Sequence, residues 1–427
     1  MLTTELNTTD VPALFSRFVS VIDDKHWMSQ VRLCNEAIRG NRFLDRYLHS
    51  QYEIAYQLSQ MTELGRRYGR IPHQHCQDAA IYPAIGFAVQ VLSAVEGFGR
   101  VDGERFRRRV HGAFKNPADM RGLRLELSVA THFIRSGEHV RWPETIGDGN
   151  FDLFIESLGK EGLEIECKSV SDDKGRKVHR RESLDFFGLL KSHIESTISG
   201  LSCGLLAVLT LPGRLPTAYQ DRLALAKLCG KAVFGGQDLT LQDGTNLRIE
   251  NFSVDQLGTF VNGVYSAEDR IAIDRITRTR NREVMVVGTK AGGKFVFAMQ
   301  SAMDDALLKT TFDTLSDAAR KQLTGRRAGM LVAGFEGLGA EELRSIAAQD
   351  NDSSNPPTGL RLNVSRFLAS DERDHVVGVG FFSGSTLARV HHGTVESGGL
   401  SYYFAKPESS FWSDDFRGIL DLKGSTV

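Results

Sequence analysis

Long hydrophobic runs, paired cysteine motifs and an excess of either charge are all missing from this 427-residue chain. No run of 18 or more apolar residues occurs, and the N-terminal MLTTELNTTD is polar and acidic. Neither a membrane span nor a signal peptide is expected, so the reading is a soluble, cytoplasmic protein with no membrane partner. Five cysteines, Cys34, Cys76, Cys167, Cys203 and Cys229, stand singly without CxxC spacing. That excludes a disulfide framework and a cysteine-type zinc site, and it fits a reducing compartment. Lys and Arg number 52 against 53 Asp and Glu, for a net charge of −1. A uniformly basic coat for nucleic acid is therefore excluded, and any polyanion-binding surface has to be a local cluster.

What the chain does contain is concentrated in residues 147–169, GDGNFDLFIESLGKEGLEIECKS. Asp152 opens one apolar run, while Glu166 and Lys168 lie two apart on the next. With Leu158, Gly159 and Lys160 as a three-residue hairpin loop, Asp152 falls directly opposite Glu166. Like charges so placed destabilise a sheet unless something neutralises them, and a hard divalent cation held by oxygen ligands is the usual neutraliser. Side chains alternate along a strand, so Glu164, Glu166 and Lys168 share one face and Leu163, Ile165 and Cys167 the other. Acid-x-Lys triplets also occur at Asp23-Asp24-Lys25, Asp172-Asp173-Lys174 and Asp421-Leu422-Lys423. None of these lies on an alternating apolar strand with an acid facing it. Upstream, Leu123, Glu126, Leu127, Ala130, Phe133 and Ile134 fall on one helical face, which places Glu126 within a stripe that packs on the sheet.

This order of helix with Glu126, Asp152 and then Glu166-Cys167-Lys168 resembles the PD-(D/E)xK nuclease superfamily, which includes restriction endonucleases and Holliday-junction resolvases. The similarity covers roughly residues 116–236, and Asn150-Phe151 stands where the proline of the motif would be. The resemblance implies an α/β fold with a restriction-endonuclease-like α-β-β-β-α-β core. It implies Mg2+ or Mn2+ as cofactor, held by Asp152, Glu166 and the Cys167 carbonyl, with Lys168 as the catalytic lysine and Glu126 as an auxiliary acid. The function implied is hydrolysis of DNA phosphodiester bonds, in defence, restriction or repair by analogy alone. A catalytically inert nucleic-acid-binding protein of the same fold and an RNA-directed nuclease are the alternatives, and a homo-oligomer or protein partner stays open.

Residues 1–115 read as helices, with Gly69 and Pro72 separating two of them and the tract Arg105-Phe106-Arg107-Arg108-Arg109-Val110-His111 closing the region. That tract reads equally as a solvated face or as a phosphate-contacting one. His73, His75 and Cys76 read as loop residues, because no further ligand lies at metal spacing. After the Glu166 strand, Lys174, Arg176, Lys177, Arg180 and Arg181 cluster and are expected to contact a nucleic-acid backbone. A helix over 183–199 and a buried strand over 205–211 complete the expected nuclease layer, and 237–258 reads as a boundary.

The expected division is thus a helical region 1–115, a nuclease domain 116–236 and a C-terminal α/β domain 237–427. Residues 283–305 lie over 151–173 without a gap, followed by an expected helix over 307–323 and a strand over 329–335. This predicts a degenerate copy of the nuclease core in which Val284, Ala298 and Gln300 replace Asp152, Glu166 and Lys168. Strands over 375–382 and 400–404 are expected to extend that second sheet, and His391-His392 reads as loop.

Overall fold

A computed structural model describes residues 5–143, 149–258, 266–279, 282–384, 386–391 and 394–420. The fold is mixed α/β and separates into two compact units. The first comprises Met1–Asn35, His49–Lys174 and Leu308–Val427, and the second Glu36–Leu48 and Gly175–Leu307. Most of the second unit is therefore an insertion into the chain of the first.

The first unit is built on a six-stranded sheet in the order Ser401–Ala405, Val376–Phe382, Ala328–Phe335, Leu163–Val170, Leu153–Ile155, Val140–Arg141. The three central members, Leu163–Val170, Ala328–Phe335 and Val376–Phe382, run parallel, and the strands at both ends are antiparallel. Parallel strands are covered on both faces and so read as continuous apolar runs, which is why every residue of Val376–Phe382 is buried. Period-two alternation sorts the sheet's side chains into two cores. Leu163, Ile165, Cys167, Met330 and Val332 join the N-terminal helices Val11–Ile22, Glu53–Tyr68, Tyr82–Gly97, Arg100–Ala113 and Pro117–Arg135. Phe154, Leu331 and Ala333 join Leu307–Lys321, Ala340–Asn351 and Gly359–Leu368 on the other side.

The helical reading of the N-terminal region holds, with local causes for its breaks. Gly69 ends Glu53–Tyr68 in the left-handed conformation, which glycine adopts without a Cβ clash. Asn116 caps Pro117–Arg135 through its side chain, which accepts from the Ala118 amide, and Pro117 sits in the first turn, where no amide is needed. His73–Cys76 forms a short helix and not the expected loop, and Glu5–Asn7 is a short strand paired with Thr394–Gly398. One stretch, Ala79–Gly97, is long and apolar enough to cross a membrane, but more than half of it is buried inside the fold. It is hydrophobic nearly all round because it is a core helix.

The second unit carries its own five-stranded sheet, in the order Leu239–Thr240, Asn246–Phe252, Gly204–Leu211, Lys294–Ser301, Glu283–Gly288. Phe186, Phe187, Leu209 and Phe297 form one core, and Leu206, Val208 and Val296 form a smaller one.

This architecture corrects the division at 116, 236 and 237. The strand Gly204–Leu211, expected beside Glu166, belongs to the second unit's sheet, where it pairs with Asn246–Phe252 and Lys294–Ser301. Residues 237–258 are no boundary, since the Asp243-Gly244 turn joins two strands of that same sheet, with Gly244 at φ +88°. The strand beside Glu166 is instead Ala328–Phe335, reached after the insertion. The strands near 375–382 and 400–404 exist, but they extend the first unit's sheet and not a second copy.

The two hairpins share a register, and the units that follow them differ. Val284 pairs with Ala298 in the second hairpin, as the gapless alignment requires for positions equivalent to Asp152 and Glu166. The helix and strand after each hairpin are exchanged, however. Gly204–Leu211 follows the first hairpin yet lies parallel to Lys294–Ser301 of the second, whereas Ala328–Phe335 follows the second and lies parallel to Leu163–Val170 of the first. Residues 283–335 are therefore not a self-contained copy. A helical crossover constrains the handedness of a parallel connection but does not say which of two similar apolar edges receives the strand.

Candidate active site

The predicted hairpin is present, on a longer turn than expected. Leu153 pairs with Ile165, Phe154 with Glu164 and Ile155 with Leu163, and Asp152 stands one residue before that strand, beyond the end of the ladder. The connection spans residues 156–162 in place of a three-residue loop. Gly162, at φ +88°, is required there, because a Cβ would lie 2.1 Å from the Phe154 ring. Asp152 is fixed by accepting a hydrogen bond from the Cys167 amide at 2.8 Å, while its own amide donates to the Ile165 carbonyl at 3.0 Å.

Of the three groups on the predicted polar face, Glu164 is diverted to structure. It is fully buried and accepts from the Thr324 amide at 2.8 Å and the Thr324 hydroxyl at 2.5 Å. Glu166 is 1% exposed and contacts the Lys168 ammonium through Oε1. Among the described residues no group hydrogen-bonds its Oε2. A buried carboxylate oxygen left in that state is costly without a compensating cation or proton. Burial first, and then the charge of Asp152, push the Glu166 carboxyl up to about 8 against the pull of Lys168. Burial also raises Asp152, opposed by the Cys167 amide and the charges of Lys168 and Arg109.

Glu126 arrives from Pro117–Arg135, as the helical stripe required, and is 4% exposed. Its Oε1 is held by the Arg109 guanidinium from Arg100–Ala113. The Cys167 thiol is pushed up by burial first, and then by the charges of Asp152, Glu126 and Glu166. The Cys167 carbonyl lies in the same strand, paired in register with Val332. Arg105 and Arg109, one helical turn apart, line a cleft of about 580 Å³ together with Trp142, Asn150, Phe151 and Asp152. These two arginines are the residues that reading the sequence left undecided. The available signal was the i, i+4 spacing of basic side chains around the buried Phe106 and Val110.

Among the described residues no three His, Cys, Asp or Glu side chains converge as a ready cation cage. Asp152 is instead turned to the Cys167 amide and Glu126 to Arg109. Compared with protein-family models, curated proteins and solved structures, the chain matches none.

The expected backbone-contacting cluster is divided. Lys174 closes a segment of the first unit, and Arg176, Lys177, Arg180 and Arg181 belong to the second. Arg176 is 17% exposed and pairs with Glu283 at 2.6 Å and Asp305 at 3.7 Å, while Arg181 pairs with Asp185 at 3.1 Å. Arg176→Ala is therefore expected to cost about 2 kcal/mol by leaving a partly buried acid pair without its cation. Denaturant unfolding checks this, and an unchanged midpoint would remove Arg176 from the structural account. The combined Ala substitutions of Lys174, Lys177, Arg180 and Arg181 should flatten the salt dependence of DNA binding by roughly 0.9 in log-log slope per lost phosphate contact. An unchanged slope would mark them as a solvated face. His391 closes the strand Thr386–His391, and His392 lies outside the described residues. In the second unit, Ala298 is buried and Gln300 donates to the Thr210 hydroxyl at 3.0 Å, so these positions are used for packing.

The raised Glu166 carboxyl has a stability consequence with a definite sign. The folded chain holds this proton more tightly than the unfolded chain, so the contribution of the group to cation-free stability is fully present below the ordinary Glu range. It is lost as pH rises from about 4.5 through about 8. Thermal melts in EDTA are expected to show that fall, and Glu166→Gln should flatten it. A cation-free protein equally stable across this window would contradict the buried-pair geometry.

Proposed function

We propose that this protein is a metal-dependent nuclease whose first unit is a restriction-endonuclease-like core. The observation that carries the reading is the buried Glu166 Oε2, without a hydrogen-bond donor, beside Asp152 and next to the Lys168 ammonium. The connectivity agrees: the helix Pro117–Arg135, three antiparallel strands, then after the insertion the helix Leu307–Lys321 and a strand parallel to the third give an α-β-β-β-α-β order.

The donor set fits a hard divalent cation. Two carboxylates from adjacent strands supply oxygen ligands, an orphaned oxygen is already present, and the Cys167 carbonyl is the third candidate ligand. The chemistry that bound Mg2+ or Mn2+ supplies is activation of a water and withdrawal of charge from the phosphate. Lys168, 24% exposed on the strand that carries Glu166, orients that water and offsets charge developing on the phosphate. Glu126 takes an outer role, because Arg109 already holds it, so Glu126→Gln lowers activity less than loss of Asp152 or Glu166. DNA is the proposed substrate. The test is incubation of the whole protein with linear, circular, single-stranded and branched DNA, and with RNA, in Mg2+, Mn2+ or EDTA. Cleavage that requires the metal supports the reading. Binding without cleavage in every metal overturns it in favour of an inert nucleic-acid binder, and cleavage of RNA alone moves the substrate class.

A further inference from the structure

The three parallel strands of the first unit, Leu163–Val170, Ala328–Phe335 and Val376–Phe382, finish at the same end of the sheet. Ser169, Gly334, Phe335 and Phe382, at their carboxyl ends, line a cavity of about 450 Å³. Open α/β sheets bind ligands outside the carboxyl ends of their strands, and a cavity of this size holds a small molecule. Ile54, Phe114 and Met120 join Phe335 and Phe382 to give it an apolar wall.

Two arginines of Pro117–Arg135 line the same cavity. Arg121 is held within the wall: it donates to the Gln51 side chain at 2.6 Å and lies 3.5 Å from Glu336, to which Gln51 also donates at 2.6 Å. Arg124 has far less to hold it. Among the described residues its one side-chain partner is Glu53, at 3.5 Å, and Glu53 is 42% exposed and also accepts from Gln57 at 3.2 Å. Burial pulls the Arg124 guanidinium below the ordinary arginine range more strongly than Glu53 restores it. An enclosed cation with one distant, solvated counter-charge is under-compensated, and an anion in the cavity corrects that. The Ser169 hydroxyl and the Gly337 and Gly339 amides also line the cavity, and among the described residues none of the three has a hydrogen-bond partner. Gly339 begins Ala340–Asn351 without a side-chain cap.

We infer that this cavity binds a small organic phosphate with a flat apolar body, of the size and kind of a mononucleotide, with Arg124 taking the phosphate and the aromatic wall the body. Guanidinium, hydroxyl and amide donors together suit three terminal oxygens better than the two of a carboxylate. The site needs no metal and does not depend on the nuclease reading.

The experiment is calorimetry of the whole protein in metal-free buffer with adenosine 5′-monophosphate, uridine 5′-monophosphate, phenyl phosphate, inorganic phosphate, adenosine and benzoate. It is repeated on Arg124→Lys, Arg124→Gln, Ser169→Ala and Asp152→Asn, with melting temperatures in parallel. At least one of the three organic phosphates is expected to bind saturably, once per chain, roughly tenfold or more tighter than inorganic phosphate, adenosine or benzoate. Arg124→Gln should weaken that binding about 30-fold and Arg124→Lys about tenfold, because an ammonium cannot grip two oxygens in the plane of a fork. Ser169→Ala should weaken it about fivefold, and Asp152→Asn should leave it unchanged. Both Arg124 variants should melt close to wild type, since a partly exposed ion pair contributes little. If Arg124→Gln does not fold, Arg124→Lys and Ser169→Ala carry the test. No saturable binding of any organic phosphate, tighter binding of benzoate, or wild-type affinity in the folded Arg124 variants overturns the inference. Loss of binding in Asp152→Asn also overturns it, by moving the ligand to the candidate active site.

Discussion

Asp152→Asn, Glu166→Gln and Lys168→Ala are each expected to lower metal-dependent cleavage by at least roughly 10³-fold, because each removes a charge used at the reacting phosphate. The fold should survive the first two. Asn keeps an oxygen for the Cys167 amide that Asp152 now accepts from at 2.8 Å, and Gln keeps the volume of a side chain that is 1% exposed. Glu166→Gln should in fact melt higher than wild type near pH 8 in EDTA, since a neutral amide avoids burying a second charge beside Asp152. The pairing of lost activity with retained or raised stability is diagnostic. A merely solvated edge would lose neither, and a packing role would lose both. Gel-based cleavage of linear and circular DNA with parallel thermal melts checks this, and full activity in any one of the three would sink the site assignment.

A fragment of residues 116–236, the span over which the sequence resembles the nuclease superfamily, is expected not to fold and to show no cleavage. It lacks Ala328–Phe335, the parallel neighbour that pairs with Leu163–Val170 along its whole length from Leu163 to Val170. It also lacks Leu315, Leu331 and Val379, all fully buried on the far face of that sheet. At about 25 cal/mol per Å² of apolar surface, losing three such side chains and their neighbours costs more than the whole margin of about 5–15 kcal/mol that keeps a domain folded. Circular dichroism and denaturant unfolding of the fragment beside the full chain test this. A cooperative unfolding transition in the fragment would show that the core closes without the returning strand. A gentler version is Leu331→Asp in the full chain, which puts an unpaired charge directly opposite Glu166 in register. It should lower both stability and activity.

Local physics wrote much of this protein into its sequence. The alternation of Leu163-Glu164-Ile165-Glu166-Cys167-Lys168 determined which side chains share a face, and the apolar stripe around Glu126 determined that this acid enters a core. The register that sets Leu153 against Ile165 followed from the hairpin's own residues even though the turn proved longer. Each of these rests on interactions between residues close in the chain, where periodicity leaves few choices. Three further features were decided only in three dimensions. Glu164 is withdrawn from the chemistry because Thr324, 160 residues away, supplies its donors. Arg109 joined the site because Phe106 and Val110 fix the rotation of its helix against a core drawn from many segments. The strand beside Glu166 came from Ala328–Phe335 and not from Gly204–Leu211, because the two buried strands are nearly interchangeable in composition and only the closing of each sheet selects between them. Sequence sets what a strand can bury, but which apolar edge it completes depends on the rest of the fold being present.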